Sequence, residues 1–109
     1  MTVESLADRA GSGALIKVSG EVDIETSPVL DVHLQALVDD GQTSVTVDLT
    51  EVSFLDSTGL SVLIGALKRF QGAGGELRLL APQPSVMRVL EITGLTAAFD
   101  ITRKDDVTD

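Results

Sequence analysis

The stretch VSFLDSTGLSVLIGALKRF, residues 52–70, joins an apolar run to an apolar helix through four small or polar residues. These four are Asp56, Ser57, Thr58 and Gly59. Asp, Ser and Thr are usual N-cap residues, because their side-chain oxygens accept hydrogen bonds from unpaired N–H groups of a first helical turn. We therefore predict a capped helix from Ser57 to about Gln71, ended by the following GAGG. The surplus of polar residues raises the question of whether Ser57 does more than cap.

This predicted helix has two different faces. One face collects five large apolar residues, each of which contributes roughly 1.5 to 3 kcal/mol when fully buried: Leu60, Leu63, Ile64, Leu67 and Phe70. The opposite face collects Thr58, Ser61, Val62, Gly65 and Arg69. That second face is small and lightly charged, and it holds a Val predicted to be exposed. It is therefore the candidate docking surface for a partner.

Strands and helices alternate on both sides of this segment. Period-two alternation predicts strands at about residues 14–19, 45–49 and 77–79, with a weaker edge strand at 3–9 and a last strand at 97–101. A second helix is predicted with its cap at Ser27, Pro28 in its first position and Gly41 as its stop. A third helix begins at Pro84 and stops at Gly94, and the polar tail from about residue 102 is expected to be frayed.

Strands that alternate with helices of this length imply βαβ units. The alternation within the strands indicates that the helices cover one face of the sheet. We therefore predict a single α/β domain over residues 1–109, with a mixed, mostly parallel sheet of four to five strands and helices mainly on one face. No repeat or second domain is indicated.

Composition excludes several functions. Seventeen acidic and eight basic residues give a formal charge of -9, which does not favour binding to nucleic acid or to an anionic membrane. The chain has no Cys and one His, which excludes thiolate and two-histidine metal sites. His33 is predicted to be a partly buried structural residue. We expect a cytoplasmic protein, a monomer or a weak dimer, with no metal and no cofactor.

The sequence lacks the residues that a catalytic role of these polar side chains would require. Ser57 does not lie in a G-x-S-x-G elbow, and no histidine base can be assigned to it. The segment DLTEV at Asp48 has Thr50 where an aspartyl phosphatase needs a second Asp. The glycines of QGAGG end a helix instead of opening a phosphate loop. We predict that the chain is not an enzyme, and a hydrolase with Ser57 or Asp48 as nucleophile is left as a hypothesis to test.

The segment at residues 52–70 resembles the signature of the anti-sigma factor antagonists, single-domain bacterial proteins of the STAS superfamily: an apolar run, Asp-Ser-Ser/Thr-Gly-Leu and an apolar helix. ALIKVSGEVDIETSPVL, residues 14–30, resembles the family's block of a strand, Gly-Glu-Leu/Val-Asp and a helix, and GGELRLLAPQPSVMRVLEITGL, residues 74–95, resembles a third block. The matches run in family order over roughly residues 13–101, and the predicted element order is that of the family.

The resemblance implies a regulated binding protein. In the family, the dephosphorylated protein binds an anti-sigma factor that is also a serine kinase, so that the sigma factor is released. The kinase phosphorylates the first serine of the motif, the complex dissociates, and a metal-dependent serine phosphatase resets the protein. By position, the phosphorylated residue is Ser57, with Thr58 as the second candidate. A phosphate carries about -1.5 to -2 charge at pH 7, and we expect the free N–H groups and dipole of the helix N-terminus to accommodate it.

The resemblance also implies a partner-binding surface. Asp23 lies in the loop where the family places kinase contacts, although it also suits a turn or cap, and Glu21 is a weaker candidate. The predicted surface comprises Asp23, Asp56, Ser57, Thr58, Ser61, Val62, Gly65 and Arg69. Many family members carry a further helix after the last strand, where only TRKDDVTD stands here, so contacts of that helix are not transferred. The alternative function is a STAS module that senses a small ligand, such as a nucleotide, or scaffolds a signalling assembly.

Overall fold

A computed structural model describes residues 1–7 and 13–103 of the protein. The strands are β1 (Thr2–Ala7), β2 (Ala14–Val22), β3 (Ser44–Leu55), β4 (Glu76–Leu80) and β5 (Asp100–Thr102). The helices are α1 (Ser27–Asp39), α2 (Ser57–Gly72) and α3 (Pro84–Ile92), followed by a short 3₁₀ turn at Leu95–Ala97. The order of elements is the predicted one.

All five strands form one sheet in the order β1-β2-β3-β4-β5. Strand β1 runs antiparallel to β2, and every other neighbouring pair is parallel. Each parallel step moves in the same direction across the sheet, and right-handed crossovers then place the connecting helices on the same face. The predicted mixed, mostly parallel sheet is confirmed.

A single aliphatic core fills the space between this sheet and the helices. Alternate residues of β3 point into it, and Val45, Val47 and Leu49 are at most 1% exposed. The helices contribute residues that are fully buried in the same cluster, among them Leu34, Leu63, Phe70 and Leu90. The buried alternation of the strands therefore matches the one-sided arrangement predicted from the sequence.

Both central strands are longer than predicted. The sequence pattern ended them near residues 19 and 49, whereas β2 continues to Val22 and β3 to Leu55. The pairing of β2 with β3 has register irregularities after Lys17 and after Gly20. The buried positions of β3 accordingly change from a spacing of two to a spacing of three, at Leu49, Val52 and Leu55. A period-two criterion cannot follow a strand through such irregularities.

The ends of other elements also differ from the predictions. The residue before α1 is Thr26, and Ser27 is the first helical residue and is 5% exposed, so the predicted cap at Ser27 is wrong. The last strand is β5 instead of residues 97–101, because Leu95–Ala97 form the 3₁₀ turn. The start of the predicted edge strand is confirmed as β1, while its end at residues 8–9, like the tail at 104–109, lies outside the described residues.

The predicted glycine stops of α1 and α3 are confirmed, whereas Pro28 is the second helical residue of α1 and not the first. Gly41 and Gly94 follow α1 and α3 with positive φ values of 80° and 73°, a conformation that glycine adopts without strain. His33 is half-buried, and its Nδ1 lies 2.8 Å from the carbonyl oxygen of Val29. Over residues 1–7 and 13–103, none of the helices combines the length and the hydropathy needed to span a bilayer.

Candidate functional site

The ends of β2 and β3 bring two aspartates together. Because parallel strands end at the same edge of the sheet, Asp23 after β2 and Asp56 after β3 are neighbours at what we call the carboxyl edge. The last residues of the two strands, Val22 and Leu55, are register partners. The backbone N–H of Asp56 then donates to the carbonyl of Val22 over 3.1 Å. The loop after β2 is thereby tied to the start of α2.

Asp56 caps α2. Its Oδ1 accepts hydrogen bonds from the backbone N–H groups of Thr58 at 2.9 Å and Gly59 at 3.0 Å, and from the Thr58 hydroxyl. The Thr58 hydroxyl is the largest cause of a lowered pKa of Asp56, followed by the Gly59 N–H. The cap is therefore Asp56 and not Ser57. The expectation that free N–H groups would receive a phosphate is also wrong for these two groups, since Asp56 already occupies them.

Ser57 is the first residue of α2 and is exposed. Its carbonyl oxygen accepts a hydrogen bond from the Ser61 hydroxyl at 2.9 Å. Thr58 differs, because it is half-buried and its hydroxyl donates to Asp56. Of the two neighbouring hydroxyl residues, Ser57 is the one whose side chain faces solvent.

Asp23 organises the loop that faces Ser57. Its Oδ1 accepts hydrogen bonds from the backbone N–H groups of Glu25 and Thr26, each at 3.0 Å, and from the Thr26 hydroxyl at 2.9 Å. These bonds, those from Thr26 first, lower the pKa of Asp23, while the nearby charge of Asp56 opposes that shift. Asp23 therefore has the turn role that its position suggested, and its carboxylate is held beside that of Asp56.

The lowered pKa values predict acid-sensitive stability. A carboxylate whose pKa is lower in the folded protein contributes stability that is present above its unfolded value, about 3.9, and is lost as the pH falls through the folded value. We expect Asp56→Asn, which keeps a capping oxygen, to lose less unfolding free energy than the wild type between pH 6 and pH 2.5. Urea denaturation at a series of pH values measures this. If Asp56→Asn loses as much unfolding free energy as the wild type over this pH range, the assignment is contradicted.

Gly59 explains why the motif ends in glycine. A Cβ atom at this position would lie 2.7 Å from both Leu55 Cδ1 and Val22 Cγ1, and 3.1 Å from the Val22 carbonyl oxygen. The first turn of α2 thus packs directly on the ends of β2 and β3. This close approach holds Asp56 and Ser57 at the carboxyl edge.

The predicted docking face of α2 divides into two parts. Ser61 is exposed and lies one turn after Ser57. Val62 is half-buried against the core, so the prediction of an exposed Val was wrong. Gly65 is half-exposed, and Arg69 forms an ion pair of 3.4 Å with Asp31 of α1. The end of the face near Ser57 is thus open, whereas Arg69 at its far end is engaged with α1.

Sequence reasoning missed two exposed apolar residues at this edge. Ile24 is 71% exposed in the loop after β2, and Phe54 is 47% exposed just before the Asp56 cap. The signal for Ile24 was its position between Asp23 and Glu25. The exposure of Phe54 could not be predicted, because the alternation at the irregular end of β3 no longer indicates which residues are buried.

These features define a class of structure. It is an α/β domain with helices on one face of the sheet and an exposed serine as the first residue of a capped helix at the carboxyl edge. The chain belongs to the STAS domain family, whose model matches residues 6–107. It is 35% identical over 91 residues to the anti-sigma-B factor antagonist of Bacillus subtilis (strain 168), covering 84% of this chain and 83% of that protein. It is 36% identical over 92 residues to the protein of the same name from Staphylococcus aureus (strain NCTC 8325 / PS 47), covering 84% and 85%. The crystal structure of an anti-sigma factor antagonist from Mycobacterium paratuberculosis is 29% identical, with a TM-score of 0.81 over 96% of this chain and 90% of that one.

Proposed function

We propose that this protein is an anti-sigma factor antagonist controlled by phosphorylation of Ser57. Its dephosphorylated form binds an anti-sigma factor that is a serine kinase and so frees the sigma factor, and a metal-dependent serine phosphatase restores that form after phosphorylation. The names of the relatives support the antagonist role. The observation that carries the proposal is that Asp56, and not Ser57, caps α2. The exposed Ser57 hydroxyl is therefore available for modification.

The charges around Ser57 explain how a phosphate acts as a switch. A phosphate on Ser57 adds about -1.5 to -2 charge next to Asp56, which already occupies the N–H groups of Thr58 and Gly59. These two N–H groups are therefore closed to the phosphate, which stays hydrated at the exposed surface. A partner that covers the site must strip that hydration, and burying an unpaired charge costs several kcal/mol. The fold tolerates the phosphate because Ser57 is exposed, while the complex does not.

The partner surface follows from the accessible residues around Ser57, of which Ser61 is exposed and Asp23, Asp56 and Thr58 are half-buried. Asp23, Asp56, Thr58 and Ser61 surround it at the carboxyl edge, and Gly65 offers further space along α2, since a Cβ there would meet only Arg69 Nη2 at 3.8 Å. Val62 and Arg69 contribute through their exposed portions. The small side chains permit close approach of the kinase to the first turns of α2.

Phosphorylation by candidate kinases tests the proposal. We expect incubation with ATP and each purified anti-sigma factor kinase encoded by the same genome to give one phosphorylated peptide carrying Ser57, detected by mass spectrometry. Ser57→Ala should abolish the modification. Ser85→Ala is the matched control, because Ser85 is also an exposed serine in a first helical turn, and this variant should be modified as the wild type is. Modification that persists in Ser57→Ala would count against the proposal.

A second candidate function is the sensing of a small ligand such as a nucleotide. A cavity of about 500 Å³ lies between the end of β4 and α3, with Ala81, Pro82, Met87 and Arg103 among its lining residues. Arg103 offers a cation for a phosphate group. Calorimetry with ATP and GTP tests this function, which requires binding that Arg103→Ala weakens.

We also propose that the chain is a substrate of its kinase and not a hydrolase. Asp48 accepts hydrogen bonds from the backbone N–H and hydroxyl of Thr50, at 2.9 and 2.6 Å, and so is engaged within β3. Turnover of a generic phosphate ester that Asp48→Ala or Ser57→Ala abolishes would instead support the hydrolase hypothesis.

A further inference from the structure

Exposed apolar residues are concentrated at the carboxyl edge. Among the described residues, five large hydrophobic side chains are at least 47% exposed: Ile24, Val29, Val32, Phe54 and Ile92. The N-terminus of α1 follows β2 directly, so Ile24, Val29 and Phe54 lie at the same edge as Ser57. Ile92 ends α3, which runs back from that edge, and therefore lies at the opposite end. Isolated exposed apolar residues need no explanation, but a group beside a proposed binding site does.

Ile24 lies in the loop next to the capping residue. Its backbone N–H contributes to lowering the pKa of Asp56, and the Asp23 and Thr26 hydrogen bonds fix the loop on either side of it. Phe54 lies two residues before Asp56 and is the register partner of Glu21 on the neighbouring strand. Both apolar side chains are thus presented from ordered backbone, which reduces the conformational entropy lost when a partner binds them.

The surroundings of these two residues carry charge of one sign. Residues 20–26 and 53–61 contain no Lys or Arg, and their acidic residues are Glu21, Asp23, Glu25 and Asp56. A surface complementary to this edge combines an apolar pocket with a basic rim. The apolar part supplies affinity where it is fully covered, whereas charges at a rim mainly change the association rate.

We infer that Ile24 and Phe54 are the apolar anchors through which the carboxyl edge binds an anti-sigma factor kinase, in a pocket of that kinase rimmed by Arg or Lys. This inference rests on the proposed function and identifies the chemistry of its partner. It also extends the switch, because Ser57 lies at the same carboxyl edge as both anchors. Seating the anchors in the pocket then forces dehydration of the phosphate, so the apolar contact and the modification exclude each other.

Binding kinetics of matched variants test the anchors. The probe is the purified kinase that phosphorylates Ser57, immobilised for surface plasmon resonance. We expect Ile24→Ser to weaken binding roughly ten- to hundredfold, mainly through faster dissociation. Ile92→Ser, an equally exposed isoleucine at the other end of the molecule, should stay within about twofold of the wild type. Phe54→Ser should resemble Ile24→Ser, and Phe54→Leu should restore part of the affinity.

A charge variant separates the rim from the anchors. Glu25→Gln should slow association and reduce its dependence on salt, with little change in dissociation. Thermal melting confirms that each variant is folded, and Ile24→Ser carries the test if Phe54→Ser does not fold. Equal affinities of Ile24→Ser and Ile92→Ser would overturn the inference.

Two further outcomes distinguish a failure of the proposed phosphorylation switch from a failure of the proposed anchors. If Ser57→Asp binds the kinase as the wild type does, the proposed switch fails regardless of the anchors. If the Ser57 variants behave as proposed but Ile24→Ser binds normally, only the anchors fail. Sedimentation of the protein alone addresses the other occupant, since a dimer that Ile24→Ser dissociates would assign the anchors to a second copy of this chain and overturn the inference.

Discussion

Ser57→Asp is expected to bind the anti-sigma factor kinase at least about a hundredfold more weakly than Ser57→Ala. The alanine variant keeps the complete cap, because Asp56 makes its hydrogen bonds to Thr58 and Gly59 without Ser57. The aspartate variant places a charge beside Asp56 in a surface that the partner dehydrates. Burial of such a charge costs several kcal/mol, and each 1.4 kcal/mol is tenfold in affinity.

Calorimetric titration of the kinase with each variant measures the difference. Gln71→Glu is the control, because it adds one negative charge at the exposed other end of α2 and should leave affinity near that of the wild type. The alanine variant should also remain bound in the presence of ATP, since it has no hydroxyl to accept phosphate at position 57. Equal affinities for Ser57→Ala and Ser57→Asp would rule out the switch.

Gly59→Ala is expected to destabilise the protein by about 1 to 2 kcal/mol. Its new Cβ would lie 2.7 Å from side-chain atoms of Val22 and Leu55, and the Val22 carbonyl at 3.1 Å is backbone and yields little. Overpacking a closed site costs roughly 1 to 3 kcal/mol, and the better helix propensity of Ala returns up to about 1. Relief of the clash moves the first turn of α2 away from β2, so kinase affinity should fall as well.

Gly65→Ala provides the control within the same helix. A Cβ at position 65 meets only Arg69 Nη2 at 3.8 Å, so the substitution improves helix propensity without a clash. We expect it to raise the free energy of unfolding by up to about 1 kcal/mol. Urea denaturation of both variants measures the two effects, and a Gly59→Ala variant as stable as Gly65→Ala would contradict the packing argument.

Those features of the candidate site that depend on residues adjacent in sequence could be predicted. The segment at residues 52–70 indicated a capped helix and singled out Ser57, and both features depend only on residues that are adjacent in sequence. The identity of the cap was not local in this sense. Asp56, Ser57 and Thr58 are all suitable caps by residue type, and the backbone at the end of β3 places the oxygen of Asp56 against the first-turn N–H groups.

The sequence alone determined the alternation of strands and helices, the parallel arrangement and the one-sided core, because these follow from periodic burial and from the handedness of crossovers. The tertiary structure decided which residues of neighbouring strands and helices lie next to one another. The pairing of β2 with β3 continues past the predicted ends of both strands, and its last pair, Val22 with Leu55, brings Asp23 beside Asp56. Ile24 and Phe54 are exposed at the same edge. Val62 is half-buried against the core, and Arg69 is engaged by Asp31 of α1. The physical reason is that register and helix packing join residues such as Val22 and Leu55, or Asp31 and Arg69, that are far apart in the chain, and no periodicity within one segment records such contacts.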